Sequence, residues 1–325
     1  MRLPTELPDD PALPGLVAIR ASGLAGAIPA LGLEGCPVQL ELRRYHPACR
    51  ATLEARAGNR RLAVKAYAED PAHEARLYQA LASAGLAGDS KVRAPSLLAW
   101  EQDLRVLVIG WLEGPTAQQL VESGRGRRAG ELAASWLRHA ASLSVKFGPP
   151  FGALRRLEQA RKWAAVLNAV DSSLGTAATR LVGVLTRTQP KEGAPGIVHG
   201  SLYAHHVLDL SDGPGLIDWQ KSGQGPAELD AGIFLATLWR LGVLQDRLAG
   251  EVARAEEVFL AETEGLLEKP ALAWHLAATL LRLAKKFALR QSDGDRLARA
   301  RALLGRAARC AEAAGQEVSR HAFTR

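Results

Sequence analysis

The chain has 325 residues, of which 47% are hydrophobic, so it is long enough for a sizeable core in one large or two modest domains. No apolar run reaches about 18 residues, and the acidic start of the chain lacks the apolar segment of a signal peptide, so neither a membrane span nor secretion is predicted. The net charge of +7 is spread over scattered arginines without a nucleic-acid-binding module, so nucleic acid is an unlikely partner.

The first third of the chain is dominated by strand patterns. Residues 1–37 are rich in Pro, Gly and Ala and are predicted to form an N-terminal extension with a short helix. Beyond them, alternation of apolar and polar residues predicts strands over residues 38–43, 51–56, 61–67 and 105–111. Between the third and fourth strands, Asp70 can cap a helix whose first residue is Pro71.

Helical patterns dominate from residue 114 onward. They are predicted over residues 130–147, 153–168, 174–187, 228–243, 251–266, 270–290 and 294–314, with short strands at 196–198, 206–210 and 215–218. The Arg-rich stretch 124–128 is predicted to be a solvated loop, and Thr116 can cap the first helix. A strand-rich part followed by a helical part predicts an α+β fold with two lobes. The predicted domains are an extension (1–37), an N-lobe (38–113) and a C-lobe (114–325).

Lys65 and Glu74 are the first candidate functional residues. Lys65 lies in the middle of a strand, and Glu74 follows nine residues later on a helix. A lysine held by such a carboxylate can contact nucleotide phosphates. The alternative is that Lys65 extends to solvent and Glu74 only favours the positive end of its helix. No glycine-rich phosphate loop accompanies them, so the pair alone leaves both interpretations open.

The segment from residue 199 to residue 219 carries the most specific signal. His199 and Gly200 follow a short apolar strand, and Asp218 ends the last of the short strands beyond them. A carboxylate at a strand end is well placed to hold a divalent cation that bridges phosphates. The alternatives are a turn carboxylate for Asp218 and structural hydrogen bonding for His199, His205 and His206.

The spacing of this segment resembles the aminoglycoside phosphotransferase/choline kinase-like branch of the protein-kinase fold. That branch carries His-Gly-Asp-x-x-x-x-Asn and then Ile-Asp-Trp. This chain reads His199-Gly200-Ser201-x-x-x-x-His206 and then Ile217-Asp218-Trp219. The resemblance extends over roughly residues 38–240. It implies a protein-kinase-like fold with a small β-rich nucleotide-binding N-lobe and a large helical C-lobe that carries the catalytic loop, metal and acceptor site.

The same resemblance implies a role for each candidate residue. Lys65 would hold the phosphates of ATP, with Glu74 orienting it, and Asp218 would hold Mg²⁺ or Mn²⁺. Position 201 would accept the proton of the substrate hydroxyl, and position 206 would hold a second metal ion. The hinge that meets adenine would be Trp111, Leu112 and Glu113.

Two positions depart from the family pattern. Ser201 stands where the family has its aspartate base, and an unactivated hydroxyl is too weak a base at neutral pH. General acid–base help contributes about 10²–10⁴-fold in rate, whereas most of phosphoryl transfer depends on positioning and electrostatics. Transfer could therefore persist, with His205 or His206 taking the proton. His206 replaces an oxygen ligand with nitrogen, which suits softer ions such as Mn²⁺ or Zn²⁺ better than Mg²⁺. The second metal site is therefore either altered or absent.

Three functions remain open from the sequence. The first is an ATP-dependent phosphotransferase acting on a hydroxyl of a small molecule, and the second is a catalytically impaired pseudokinase that binds nucleotide or a partner. The third is a metal-hydrolase cluster of His199, His205, His206, Asp209 and Asp218. The acceptor cannot be deduced, although a basic chain is poorly suited to a polycationic aminoglycoside. Three widely spaced cysteines match no disulfide framework, which predicts a cytoplasmic location. The oligomeric state carries no prediction.

Overall fold

The computed structural model describes residues 7–88, 90–290 and 294–322. The first six residues, on which part of the signal-peptide prediction rests, lie outside these ranges. The chain divides into two compact units, Met1–Glu113 and Gly114–Arg325. The functional roles assigned to the three sequence-based domains remain predictions.

The N-terminal unit is built on a five-stranded antiparallel sheet. Its strands are β1 (Val38–His46), β2 (Arg50–Ala57), β3 (Arg60–Tyr67), β4 (Leu97–Glu101) and β5 (Val106–Gly110). Their order in the sheet is β1-β2-β3-β5-β4. In β3 every second residue is buried, which confirms the strand predicted around Lys65. Strand β4 was missed, because five residues that read Leu-Leu-Ala-Trp-Glu show no alternation.

The predicted extension contributes to the core of this unit. Helix α1 (Pro14–Ala27) buries Leu16, Ile19 and Leu24 among the apolar side chains of the sheet. By length and composition alone, the segment Pro14–Leu31 could cross a membrane. Those three side chains instead have packing partners inside the unit, so core packing is a sufficient reason for the apolar character of the helix.

A carboxylate ties the start of the chain to the sheet. Asp10 accepts hydrogen bonds from the backbone N–H of Ala48 (2.8 Å) and the hydroxyl of Tyr45 (3.0 Å). The bond from Ala48 is the main reason why the pKa of Asp10 lies below its ordinary value. Ala48 occupies the β1–β2 turn with a left-handed φ of 53°. The extension is therefore fastened at the turn as well as packed in the core.

Glu54 is a buried carboxylate in β2 whose charge is shared by three arginines. Its side chain accepts from Arg61 (2.6 Å), Arg56 (2.6 Å) and Arg43 (2.7 Å). These bonds, the one from Arg61 above all, lower the pKa of Glu54 to about 2, although burial acts in the opposite direction. The cluster holds together strands β1, β2 and β3 on one face of the sheet.

Helix α2 (Ala72–Ser83) covers part of the sheet and carries Glu74. Leu77, Tyr78 and Leu81, which recur at the spacing of one helix face, form a buried stripe. The helix begins one residue later than predicted, and the Asp70 carboxylate accepts a hydrogen bond from Ala72 N–H at 2.9 Å. Glu74 thus lies in the first turn, on the buried face.

The C-terminal unit is mainly helical. Its helices are α3 (Ala117–Glu122), α4 (Gly126–Ala140), α5 (Ala153–Val170), α6 (Ser172–Arg187), α7 (Ala227–Leu244), α8 (Ala249–Glu262), α9 (Lys269–Ala288) and α10 (Arg296–Ala322). Two short antiparallel pairs interrupt them, β6 (Gly196–Val198) with β9 (Gly223–Gly225) and β7 (Val207–Asp209) with β8 (Pro214–Leu216). Helices α7 and α9 form the centre of this unit and bury Phe234 and Trp274 completely.

Two local predictions for this unit have opposite outcomes. Thr116 caps α3 as predicted, and its side chain and that of Gln119 form a reciprocal capping box. The stretch 124–128 is not all solvated loop, because α4 begins at Gly126. Arg128 donates to both carboxylate oxygens of Asp209, at 3.1 and 2.7 Å. The partner of this arginine lies 81 residues away and was invisible to local pattern reading.

Candidate active site

The loop that carries Ser201 is held by a buried carboxylate. Asp230, in the first turn of α7, accepts hydrogen bonds from the backbone N–H groups of His199 (2.6 Å) and Gly200 (2.9 Å). Burial raises the pKa of Asp230 to about 6, and these two bonds oppose that rise. Gly200 has a φ of +68°, and a Cβ there would lie 1.9 Å from the carbonyl oxygen of Lys221. The loop therefore passes a neighbouring backbone at a distance that only glycine allows.

The hydroxyl of Ser201 is directed inward. Ser201 is 3% exposed, and its Oγ lies 3.2 Å from His199 Nδ1 and 3.4 Å from the carbonyl oxygen of Asp218. His199 Nε2 lies 2.9 Å from the carbonyl oxygen of Ile217, so Nε2 carries the proton and Nδ1 accepts. Burial lowers the pKa of His199 to about 3, which keeps the ring neutral at pH 7. Both neighbours of Oγ are acceptors, so Ser201 acts here as a donor.

His206 and Asp218 come together, as the motif spacing suggested. His206 Nδ1 lies 2.9 Å from the carbonyl oxygen of Ser201, which assigns the ring proton to Nδ1. Nε2 then faces Asp218 Oδ2 at 3.4 Å. Asp218 has left-handed backbone angles (φ 63°, ψ 59°), which are uncommon outside glycine and are frequent at functional sites. A neutral ring would place two acceptors face to face, so the pair suits either a bound cation or an imidazolium–carboxylate ion pair.

The donor set fits a nucleotide-bound metal ion better than a hydrolase cluster. No group of three or more His, Cys, Asp or Glu side chains is placed to hold a metal within the described residues. Asp209 is paired with Arg128, and both ring nitrogens of His199 have other partners. These contacts contradict the hydrolase alternative. Two protein ligands are sufficient for Mg²⁺ or Mn²⁺, because Mg²⁺ usually completes its coordination with water and phosphate oxygens.

Lys65 and Glu74 form a buried ion pair in the N-terminal unit. Lys65 Nζ lies 2.6 Å from Glu74 Oε1, and the side chains are 12% and 9% exposed. Tyr67 donates its hydroxyl proton to Glu74 Oε2 at 2.6 Å. Burial disfavours the charged lysine, but Tyr78, Tyr67 and Glu74 outweigh it and the pKa of Lys65 lies well above its ordinary value. The alternative in which Lys65 extends to solvent is therefore excluded.

The predicted hinge is anchored to β3 by one arginine. The guanidinium of Arg61 lies 4.3 Å from the ring centroid of Trp111 and donates to Glu113 at 2.6 Å. The backbone N–H of Trp111 donates to the carbonyl oxygen of Arg61 at 3.2 Å. Leu112 is half-buried between them. Contact of this segment with adenine remains a prediction.

One cluster near the loop was missed by sequence reasoning. Tyr203 is 9% exposed, and its ring is faced by Arg282 from α9 at 5.4 Å and by Lys286 at 5.3 Å. His205 stacks on the same ring at 5.3 Å. The sequence does contain a signal for this cluster, since Arg282 follows Leu281 directly within the apolar stretch of α9.

Comparison with known proteins identifies one family. The model of a family described as "APH: Phosphotransferase enzyme family" matches residues 59–268, more than half of the chain. A search among curated proteins gives no match.

Solved structures of similar fold cover most of the chain. The aminoglycoside phosphotransferase APH(4)-Ia is 14% identical with a TM-score of 0.61, covering 90% of this chain and 99% of its own. A choline/ethanolamine kinase family protein from Mesorhizobium loti is 18% identical with a TM-score of 0.59, covering 90% and 98%. Spectinomycin phosphotransferase APH(9)-Ia, solved with ADP and spectinomycin, is 14% identical with a TM-score of 0.52, covering 86% and 93%. These similarities confirm the predicted protein-kinase-like fold.

Proposed function

Because the chain belongs to the phosphotransferase enzyme family, which makes it a small-molecule kinase by class, we propose that it transfers the γ-phosphoryl group of ATP to a hydroxyl. A bond forms between the acceptor oxygen and the γ-phosphorus while the bond to the β–γ bridging oxygen breaks. ADP leaves with the electron pair, and the hydroxyl proton is released to water. The acceptor is a small molecule, and the location is the cytoplasm.

The observation that carries this proposal is the buried Lys65–Glu74 pair. A buried charge pair is costly unless its geometry is good, and replacement by apolar residues is often neutral or stabilising. A function for the lysine therefore explains why such a pair is present. In kinase-like enzymes a lysine held by a helix glutamate binds nucleotide phosphates. The ADP in the spectinomycin phosphotransferase structure supports a nucleotide at this site.

Asp218 and His206 are the proposed metal ligands. When bound, Mg²⁺ or Mn²⁺ would neutralise charge on the nucleotide phosphates. The protein's own contribution is to aim the two side chains at one point, because Asp218 has a left-handed backbone and His206 is fixed through Nδ1. Ser201 and His206 take the places of the family's aspartate and asparagine, and Trp111, Leu112 and Glu113 would meet the adenine.

Nucleotide and metal binding is the direct test. The melting temperature is measured with a non-hydrolysable ATP analogue and either Mg²⁺ or Mn²⁺. A ligand at roughly 100 times its Kd stabilises by about 2.7 kcal/mol, which raises the melting temperature by several degrees. Asp218→Ala should remove the metal-dependent part of this shift. Glu158→Ala, at an exposed carboxylate on α5, is the matched control. Absence of any shift with either metal would refute the proposal.

The orientation of Ser201 favours a second function, a pseudokinase that binds nucleotide without efficient transfer. Its hydroxyl is buried and directed at acceptors, so it is not arranged to remove a proton. Release of ADP from ATP separates the two functions. A pseudokinase would show the nucleotide shift without ADP release above background, and Ser201→Asp would then be expected to introduce turnover. An active enzyme would release ADP as the wild type.

A further inference from the structure

A group of cations lies beside the Ser201 loop within the C-terminal unit. Tyr203, two residues beyond Ser201, has Arg282 and Lys286 over its ring, at 5.4 and 5.3 Å from the centroid. The pKa of Lys286 falls to about 8, mainly because of burial and in part because of nearby positive charge that includes Arg282 and, from α7, Arg240. Helices α7 and α9 thus direct positive charge at one edge of the loop.

Within the part of the chain that the structure describes, these cations have no acidic partner. Among the described residues, no carboxylate forms an ion pair or hydrogen bond with Arg240, Arg282 or Lys286. Arg282 is only 8% exposed, and Arg240 Nε is buried without a hydrogen-bond partner. Burial lowers the pKa of both guanidinium groups. Buried charge without a counterion is unfavourable, so the arrangement weakens the fold unless something else compensates.

A structural reason exists for one of the three. Lys286 is exposed and lies in the last turn of α9, where the helix dipole favours a cation. Arg282 lies one turn earlier within the buried face, and Arg240 lies before the last turn of α7. Contact with Tyr203 offers Arg282 a π face but no neutralising charge. An external anion would satisfy both arginines.

We propose that the acceptor carries a carboxylate or phosphate group in addition to its reactive hydroxyl, and that Arg282 and Arg240 bind this anion with support from Lys286. The inference rests on the proposed phosphotransferase function, whose acceptor class it names. A guanidinium can bind either anion through two parallel hydrogen bonds. The anion would sit close to the Ser201 loop and so fix the distance of the hydroxyl from the transferred group.

Anion binding is tested first with sulfate as the probe, without nucleotide, by calorimetry on the full-length protein. Arg282→Met should weaken sulfate binding roughly tenfold to hundredfold, the range for loss of hydrogen bonds between charged groups. Arg180→Met, at an exposed arginine on α6, is the control and should leave binding unchanged. Equal sulfate affinity in the wild type and Arg282→Met, or no sulfate binding by the wild type, would overturn the inference.

The melting temperature of Arg282→Met distinguishes a ligand-binding role for Arg282 from a structural one, because the two roles predict opposite changes. If Arg282 serves a ligand, Arg282→Met should keep or raise the melting temperature in anion-free buffer, because a buried unpaired charge is removed. A fall of several degrees would show that the guanidinium supports the fold and would overturn the inference. If Arg282→Met does not fold, Arg240→Met is held to the same two criteria.

Matched acceptors in an ATP-dependent ADP-release assay test whether the acceptor carries a carboxylate or a phosphate. Glycerol, glycerate and glycerol 3-phosphate carry no charge, a carboxylate and a phosphate respectively, and glucose, glucuronate and glucose 6-phosphate repeat the comparison on a sugar ring. An anionic member should be preferred over its neutral counterpart, and Arg282→Met should remove that preference. Preference for the neutral member in both sets would contradict the inference.

The outcomes separate this inference from the proposed function. Nucleotide binding without Arg282-dependent sulfate binding leaves the phosphotransferase function intact and overturns the anionic acceptor. Arg282-dependent sulfate binding without any nucleotide–metal shift supports the anion site but overturns its assignment to a kinase acceptor.

Discussion

Substitution of Gly200 by alanine would measure how tightly the Ser201 loop is constrained. Gly200 has a φ of +68°, and a new Cβ would lie 1.9 Å from the Lys221 carbonyl oxygen, where ordinary contact begins at 3.4 Å. The two backbones must therefore separate by about 1.5 Å. A left-handed alanine costs about 1–2 kcal/mol, and overpacking of this kind adds roughly 1–3 kcal/mol.

The matched control is Gly265→Ala. Gly265 belongs to the same unit and has a φ of +77°, but no atom lies within 4 Å of its added Cβ. It therefore experiences the backbone strain without the collision. Urea unfolding followed by circular dichroism should show a loss of about 1–2 kcal/mol for Gly265→Ala and roughly 2–5 kcal/mol for Gly200→Ala.

The two variants should differ more in activity than in stability. Displacement of a catalytic group by about 1 Å can cost roughly 100-fold in rate, so ADP release by Gly200→Ala should fall at least that far. Gly265→Ala should retain the wild-type rate. If both variants lose the same stability and the same activity, then the close approach to Lys221 has no consequence and the interpretation of the loop is wrong.

Three further changes test the remaining features. Glu54→Gln should lower the free energy of unfolding at pH 7 by about 3 kcal/mol, at roughly 1.4 kcal/mol per pKa unit. Because the pKa of Glu54 is lowered from 4.5 to about 2, its ionised carboxylate stabilises the fold fully above pH 4.5, and this stabilisation is lost as the pH falls through about 2. Urea titrations at several pH values should show this pH dependence only in the wild type, and its persistence in the variant would assign it elsewhere. Glu74→Gln should lower the free energy of unfolding by about 3–5 kcal/mol because it leaves Lys65 buried and unpaired. Calorimetry should also show weaker nucleotide binding. If the double variant Glu74→Gln/Lys65→Met loses as much stability as Glu74→Gln alone, this reasoning is contradicted. Thr116→Ala should cost about 1 kcal/mol by thermal unfolding because it breaks the capping box with Gln119, and an unchanged melting temperature would show that the box is not stabilising.

Features encoded by short-range patterns were predictable from the sequence. The strand that carries Lys65, the buried stripe of α2 and the cap at Thr116 all depend on residues a few positions apart. The convergence of His206 and Asp218 was also predictable, because two short strands joined by a turn bring the ends of that segment together.

Features that depend on distant partners were not predictable in this way. Arg128 looked like a solvated loop residue because nothing nearby reveals Asp209 as its partner. The inward direction of Ser201 depends on which nitrogen of His199 is protonated, and that is decided by the carbonyl of Ile217. The environment of Arg282 depends on the packing of α7 against α9, so the absence of a carboxylate partner among the described residues appears only in three dimensions.

The packing of the extension and of α9 also defines what can be cut from this protein. The stretch that matches the family, residues 59–268, begins after β2 and ends one residue before α9. A fragment limited to it would carry β3 without β2 beside it and would lack the buried Trp274. Such a fragment exposes a strand edge and an open core, and both promote aggregation. The limits of the family match therefore do not coincide with the limits of a fragment that can fold. Such a fragment begins near Asp10 and extends beyond α9.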